Sequence, residues 1–224
     1  MCGRFDQNDL PRLLTDFAWA DELVNRSMAK PSWNVAPTTS RPLLRFDEDG
    51  TLVCEDVHWG YQPFWAKGKI PVAINTRREK ISGKYWAGLL KIGRVIVPAD
   101  GWYEWTGEKG EKQPWHIHRE DRGALFFAGL AGVTHPDDEH KPAGGFTIVT
   151  DDAQGGMVDV HDRRPIVLNA DDAKVRLDPA TPPDMAEELA RVAALGPELF
   201  EWFQVNRAVG NVRNQGPELA QRQG

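Results

Sequence analysis

Residues 94–119 constrain the fold of this chain more than any other stretch. They read RVIVPADGWYEW, then TGEKGEK, then QPWHIHR: two runs rich in β-branched and aromatic residues on either side of a turn with two glycines. The pattern predicts two strands joined as a hairpin, with RVIVPADGWYEW as a single strand. Segments of the same kind recur as PLLRF and TLVCEDVHW, joined by DEDG, and downstream as ALFFAGLAGV and GFTIVT. Helical signals are fewer. NDLPRLLTDFA offers Asn8 or Asp9 as a cap and sets Leu10, Leu13, Leu14 and Phe17 at helical spacing. YWAGLLK is a short candidate, and PPDMAEELARVAAL opens on Pro182 and Pro183 and stops near Gly196. KPSWNVAPTTSRP reads as a proline-punctuated loop. Strands in hairpin succession that outnumber helices imply an α+β fold of largely antiparallel, barrel-like β-sheets with flanking helices. With no internal repeat, low-complexity tract or long Gly/Ser linker, residues 1–224 are expected to form one domain.

Composition narrows the setting. No run approaches the ~18 consecutive apolar residues of a spanning helix, and no basic-then-apolar leader opens the chain. A cytoplasmic protein with no membrane partner is expected, and the lack of heptads makes a monomer the default. Cys2 and Cys54 could form one bridge at most, which a reducing compartment disfavours. The alternation around Cys54 marks it as a core thiol. A formal charge of −6 argues against indiscriminate nucleic-acid binding. Yet MCGRF, NTRREKISGK, MVDVHDRRPIVL and QVNRAVGNVRNQG carry +6 between them, which leaves −12 elsewhere. Should those segments meet in the fold, a basic face would sit on an acidic body and still capture a polyanion.

One of the two cysteines stands directly behind Met1. Methionine aminopeptidase removes Met1 when the next side chain is small, so Cys2 is expected to become the first residue, with a free thiol and a free α-amine on neighbouring carbons. Two chemistries then open. The amine can serve as base for its own thiol, as in N-terminal nucleophile hydrolases. Alternatively it can condense with an aldehyde to an imine that the thiol closes into a five-membered thiazolidine. Its ordinary pKa of about 7.7–8.0 leaves a neutral fraction near physiological pH.

Other residues suit either chemistry or a plain structural role. Glu104 lies between Tyr103 and Trp105, whose rings would desolvate it towards acid–base use; otherwise it is a solvated strand carboxylate. His161 precedes Arg163 and Arg164, a set suited to a phosphate-bearing substrate or to ordinary surface salt bridges. Asn75, Arg77 and Arg78 fall where a strand ends, so Asn75 could hold a carbonyl or hydroxyl and Arg77 a phosphate, or the group could serve turn chemistry alone. Trp59 and Trp65 in WGYQPFW offer a platform for unstacked bases or simply core packing. His116 and His118 alternate on one strand and can share a face. No ligand spacing points to a metal, and none is expected, nor any cofactor.

Taken together, MCGRF, WNVAPT, WGYQPFW, INTRREK, PADGWYEW, FTIVT, VDVHDRRPIVL and AVGNVRNQGPEL resemble, in order and approximate spacing, the SOS-response-associated peptidase (SRAP) family, over nearly the whole chain from Cys2 to about Leu219. The resemblance implies an SRAP-like fold and a protein that links covalently to abasic sites in single-stranded DNA, shielding the lesion. By that likeness Cys2 is the nucleophile that closes a thiazolidine on the aldehyde of the opened sugar, and Glu104 is the proton shuttle. Asn75 holds the amine or sugar, and His161 helps sense and open the abasic sugar. Arg4, Arg77 and Arg163 become phosphate contacts and Trp65 the stacking wedge. Asn34 orders the loops around Cys2 or touches DNA, and Thr150, at the end of FTIVT, joins the DNA-binding set. The likeness further implies lyase-like Schiff-base chemistry, autoprocessing that here amounts to loss of Met1, and association with the nucleoid when damaged DNA is bound.

This chain departs from the family pattern at three places: Thr76 stands where alanine is usual, Lys80 where threonine is common, and Ala66 where a second tryptophan would enlarge the wedge. Two rivals are defined by what they lack or add. Class II glutamine amidotransferases also begin Met-Cys-Gly but carry an Asn-Gly motif, absent here. A non-catalytic single-strand-binding module would bind reversibly and without lesion preference.

Overall fold

The strand Arg94–Ala99 is buried at every position, which an alternating half-buried strand never is. Its surroundings in the computed structural model, which describes residues 2–17, 23–66, 68–132 and 144–223, explain why. Arg94–Ala99 is a central strand of the larger of two sheets. Among the described residues that sheet runs Arg163–Pro165, Gly145–Asp152, Leu125–Gly132, Arg94–Ala99, Ser40–Phe46, Leu52–His58, Val24–Asn25. Val167–Leu168 adds to Leu125–Gly132, and Asn75–Arg77 joins Gly145–Asp152 in parallel. The smaller sheet runs Phe200–Gln204, Gln113–Arg119, Gly101–Thr106, Phe5–Gln7, Ser32–Val35, all antiparallel. Neither closes on itself: the barrel-like arrangement expected from sequence is realised as two open sheets.

Alternate side chains of the larger sheet feed two cores. Ile96, Phe126, Ala128 and Val149 pack with helical residues Leu13, Leu14, Leu90, Ala173 and Ala190. Val95, Val97, Phe127 and Ile148 pack with Phe5, Val35, Trp102 and Ile117 of the smaller sheet. A third cluster of Tyr103, Phe203, Val205, Val209 and Leu219 covers the outer face of the smaller sheet with the C-terminal segment. The layers are therefore helices, larger sheet, smaller sheet and C-terminal wrap, each apolar face buried by the next.

The single strand expected across RVIVPADGWYEW is two, and they belong to different sheets. Asp100 breaks them: its carboxylate accepts the Asn8 amide at 2.7 Å and also binds Arg12, and its own amide donates to the Asp6 carbonyl. Gly101 then passes so close to the next strand that a Cβ would stand 2.3 Å from His116 Nε2 and 2.8 Å from the Ile117 carbonyl oxygen. Periodicity cannot show such a crossing, because both halves are apolar.

The expected helices form at Leu10–Thr15, Ala87–Ile92 and Pro183–Val192. Asp9 rather than Asn8 caps the first, accepting the Arg12 amide at 3.2 Å. A fourth helix, Ala170–Leu177, carries weak apolar periodicity because an arginine occupies its buried face: Arg176 is enclosed and donates to the carbonyls of Val95 and Gly129, each at 3.0 Å. The loop expected over KPSWNVAPTTSRP contains the strand Ser32–Val35, whose pairing with Phe5–Gln7 is long-range. Among the described residues no helix is long and apolar enough to cross a membrane.

Candidate active site and nucleic-acid groove

Cys2 leads into the strand Phe5–Gln7, which pairs with Gly101–Thr106 through Phe5 and Trp102, and the Tyr103 amide donates to the Arg4 carbonyl at 2.9 Å. Strand alternation sorts the residues of GWYEW. Trp102 packs inward between the sheets, Tyr103 packs with the outer cluster, and Glu104 returns to the inward side as a buried carboxyl. Of the two aromatic neighbours expected to desolvate it, Tyr103 packs in the outer cluster, away from the inter-sheet side on which Glu104 lies, and Trp105 lines the same groove as Glu104. Burial pushes the Glu104 carboxyl up to about 7.

Cys2 is wholly buried in the inter-sheet core. Burial, reinforced by the nearby Glu104 charge, raises its thiol far above the ordinary range, so the sulfur rests as S–H. The backbone is held from the other sheet: Asn75 Nδ2 donates to the Cys2 carbonyl at 2.7 Å. Asn75 opens the short strand Asn75–Arg77, whose register against Ile148 through Thr150 aims its amide at the N-terminal strand.

His161 arrives from a third direction, on the turn after Gly155–Asp159, where its amide donates to the Met157 carbonyl. Its Nε2 lies 3.9 Å from Glu104 Oε2. Its Nδ1 faces both the Arg163 amide at 2.9 Å and Asp162 Oδ1 at 2.7 Å. The neutral ring accepts from the amide and the charged ring donates to Asp162, so either protonation state finds a partner. Burial holds the imidazole below its ordinary value.

An open groove of about 660 Å³ runs past these groups, lined by Gly3, Arg4, Glu104, Trp105, Gly110, Lys112, His161, Arg207 and Gly210. The four residues expected to carry chemistry, Cys2, Asn75, Glu104 and His161, thus converge from separate elements. The six expected to touch DNA are distributed differently. Arg4 lines the groove, its Nη1 donating to Asn34 Oδ1 at 2.7 Å and to the Val209 carbonyl at 2.9 Å, with its guanidinium 5.6 Å from the Trp105 ring centre. Asn34 is buried, and its Nδ2 reaches the carbonyls of Val209, Asn211 and Asn214, which orders the C-terminal segment.

Arg163 is also buried, its guanidinium taken up by Glu79 at 3.1 Å, Asp152 at 2.6 Å and the Thr150 carbonyl at 2.8 Å. Thr150 is enclosed, its hydroxyl donating to the Thr76 carbonyl at 3.4 Å. In this conformation neither presents donors to a backbone phosphate; both brace the strand bearing Asn75 against the turn bearing His161. Arg77 is exposed and Trp65 is 60% exposed, its ring set edgewise on Tyr85 at 5.7 Å, and neither lines the groove. Trp59, by contrast, is core. Two groove cations escaped sequence reasoning. Lys112 was absorbed in a turn, and Arg207 stood in a segment noted only for its net charge.

The family model described as SOS response associated peptidase (SRAP) matches residues 1–212. The abasic site processing protein YedK of Escherichia coli K12 is 38% identical over 231 residues, covering 99% of both chains. The abasic site processing protein HMCES of Gallus gallus is 32% identical, over 88% of this chain and 68% of its own. Among solved structures, a phage-related protein of Bordetella bronchiseptica superposes with a TM-score of 0.77 at 39% identity, covering 92% of this chain and 95% of that one.

Proposed function

This chain belongs to the SOS response associated peptidase family, and we propose that it processes abasic sites in single-stranded DNA by forming a covalent link through Cys2. The observation that carries the reading is the meeting of Cys2, Asn75, Glu104 and His161 beside an open groove lined with cations. The names of the relatives support abasic-site processing; the chemistry is read from the site.

Loss of Met1 frees the Cys2 amine. The opened abasic sugar presents an aldehyde at C1′, and His161 favours that form by a hydrogen bond to the ring oxygen. The amine nitrogen attacks C1′ to give a carbinolamine. Glu104, whose buried carboxyl holds its proton well above the ordinary carboxylate range, donates to the departing hydroxyl, which leaves as water with formation of the iminium. The Cys2 sulfur then adds to C1′ while its proton passes to the Glu104 carboxylate, and the ring nitrogen remains a neutral secondary amine. Aldehyde, amine and thiol become thiazolidine and one water. Because the thiol is neutral at rest, it reacts only once an electrophile stands beside it. Asn75 fixes the Cys2 backbone, so amine and thiol reach one carbon. The six expected DNA contacts divide into groove and surface groups, Arg4, Arg77 and Trp65, and internal braces, Asn34, Thr150 and Arg163. The protein acts as a monomer of one domain.

The test mixes protein that begins at Cys2 with a single-stranded oligonucleotide bearing one abasic site, without reductant, followed by denaturing electrophoresis and intact mass measurement. The expected product has the summed mass less one water, and is absent with undamaged DNA and with Cys2→Ser. Cys2→Ala shifts the outcome towards strand nicking, since a persistent imine acidifies the C2′ hydrogens. Equal stable trapping by Cys2→Ala sinks the thiazolidine; no adduct at all brings forward amidohydrolase chemistry or plain strand binding.

A further inference from the structure

Two cations of the groove have no task in the chemistry above. Lys112 stands at the end of the hairpin turn between Gly101–Thr106 and Gln113–Arg119, and Arg207 opens the turn Arg207–Gly210. Neither is hydrogen-bonded or ion-paired through its side chain among the described residues, whereas Arg4 beside them is tied to Asn34 and Val209. A free cation at the rim of a groove that admits a polyanion is placed to meet a phosphate. Lys112 differs from Arg207 in a second respect: it lines the same groove as Glu104 and His161, and its positive charge opposes a proton on each. The other charged groups near that pair among the described residues are Asp162, Arg4 and Arg207 along the groove and Arg163 and Arg164 behind it.

We propose that Lys112 takes up the backbone phosphate that flanks the lesion and in doing so withdraws its charge from Glu104 and His161, so that strand binding itself loads the acid–base pair with protons. This rests on the reading above that a single strand enters this groove. A phosphate at bonding distance neutralises the ammonium and adds negative charge of its own, and both effects favour protonated Glu104 and protonated His161. Glu104 already titrates near neutrality, so a small change moves it into the acid form that expels water from the carbinolamine. The free protein, with Lys112 unpaired, keeps Glu104 more ionised and the site less reactive towards stray aldehydes.

An undamaged oligonucleotide offers phosphates without an aldehyde and isolates this step. Its affinity is measured against salt for wild type, Lys112→Met and Lys112→Arg, and His161 is titrated by NMR in each with and without the oligonucleotide. In Lys112→Met the slope of log K against log salt is expected to fall by about 0.7, with recovery in Lys112→Arg. Free Lys112→Met should titrate His161 at higher pH than wild type, and the oligonucleotide should raise the wild-type midpoint by more than that of the variant. An unchanged slope in Lys112→Met, or equal displacement of the midpoint in both proteins, overturns the proposal even if the Cys2 adduct forms. Expected slopes and midpoints without an adduct on abasic DNA leave Lys112 in this role and overturn the crosslinking reading.

Discussion

Asn75 Nδ2 holds the Cys2 carbonyl oxygen at 2.7 Å, a side-chain hydrogen bond that ties the first described residue to the opposite sheet. Asn75→Ala removes this donor without touching the thiol. Losing one buried hydrogen bond costs about 1–3 kcal/mol, on the order of ten- to a hundredfold in a rate. Adduct formation should slow by that much under single-turnover conditions, with affinity for undamaged DNA changed less than about twofold. An unaltered adduct rate would show that Cys2 is positioned by other contacts.

Glu104 couples reactivity to stability through the same proton. Its folded pKa of about 7 lies above the ordinary carboxylate value of 4.5, so the folded state binds this proton more tightly than the unfolded one. The associated stability is complete below about pH 4.5 and is lost as pH rises through 7. Glu104→Gln, which stays neutral, should match wild type at pH 4 and exceed it at pH 8 by on the order of 3 kcal/mol, measured by denaturant titration. Adduct formation by wild type should fall off with a midpoint at or above pH 7 that Glu104→Gln lacks, and Glu104→Gln should react about 10²-fold or more slowly. Equal stability of the two proteins at pH 8 would refute the buried-carboxyl account.

Arg77 and Arg163, joined by sequence reasoning as phosphate contacts, should separate in experiment. Arg77→Ala is expected to lower the salt slope of single-strand binding by about 0.7 and leave the melting temperature within about 1–2 °C. Arg163→Met breaks the bonds to Glu79, Asp152 and Thr150, and should cost about 2–4 kcal/mol of stability with the slope unchanged. A reduced slope without destabilisation in Arg163→Met would restore it as a DNA contact.

Asn34 gathers three carbonyls of the C-terminal segment, and Asn34→Ala leaves them without their donor. Amides of residues 206–216 should exchange faster by about tenfold or more, read by hydrogen–deuterium exchange, while the central strand Leu125–Gly132 is unaffected. Because Arg207 and Gly210 belong to that segment, DNA affinity should weaken in parallel. Uniform exchange across the chain would indicate a global loss of stability instead.

Much of this was legible in the chain. The short apolar runs around Leu43, Cys54 and Phe127, set off by turn or loop residues, form strands, and Asp9 ahead of Leu10 caps a helix for a local reason. MCGRF carries its chemistry in covalent order, since only adjacent carbons can bear the amine and the thiol. The helix Ala170–Leu177 was not legible, because Arg176 is buried through carbonyl acceptors contributed by strands some 47 and 81 residues away in sequence. The division of GWYEW, with Tyr103 facing out and Glu104 in, depended on knowing which face of the strand meets the larger sheet.

By itself the sequence determined the strand-rich architecture, the Asp9-capped first helix and the place of Cys2 directly behind Met1. These follow from local propensity, periodicity and covalent neighbourhood. Tertiary structure alone decided that Asp100 and Gly101 pass the chain from one sheet to the other. It also decided that Glu104 titrates near neutrality, that Arg163 and Thr150 face inward, and that Lys112 and Arg207 share one groove. Each of these depends on the distance and burial of groups far apart in the chain, and desolvation and charge act through space, not along the backbone.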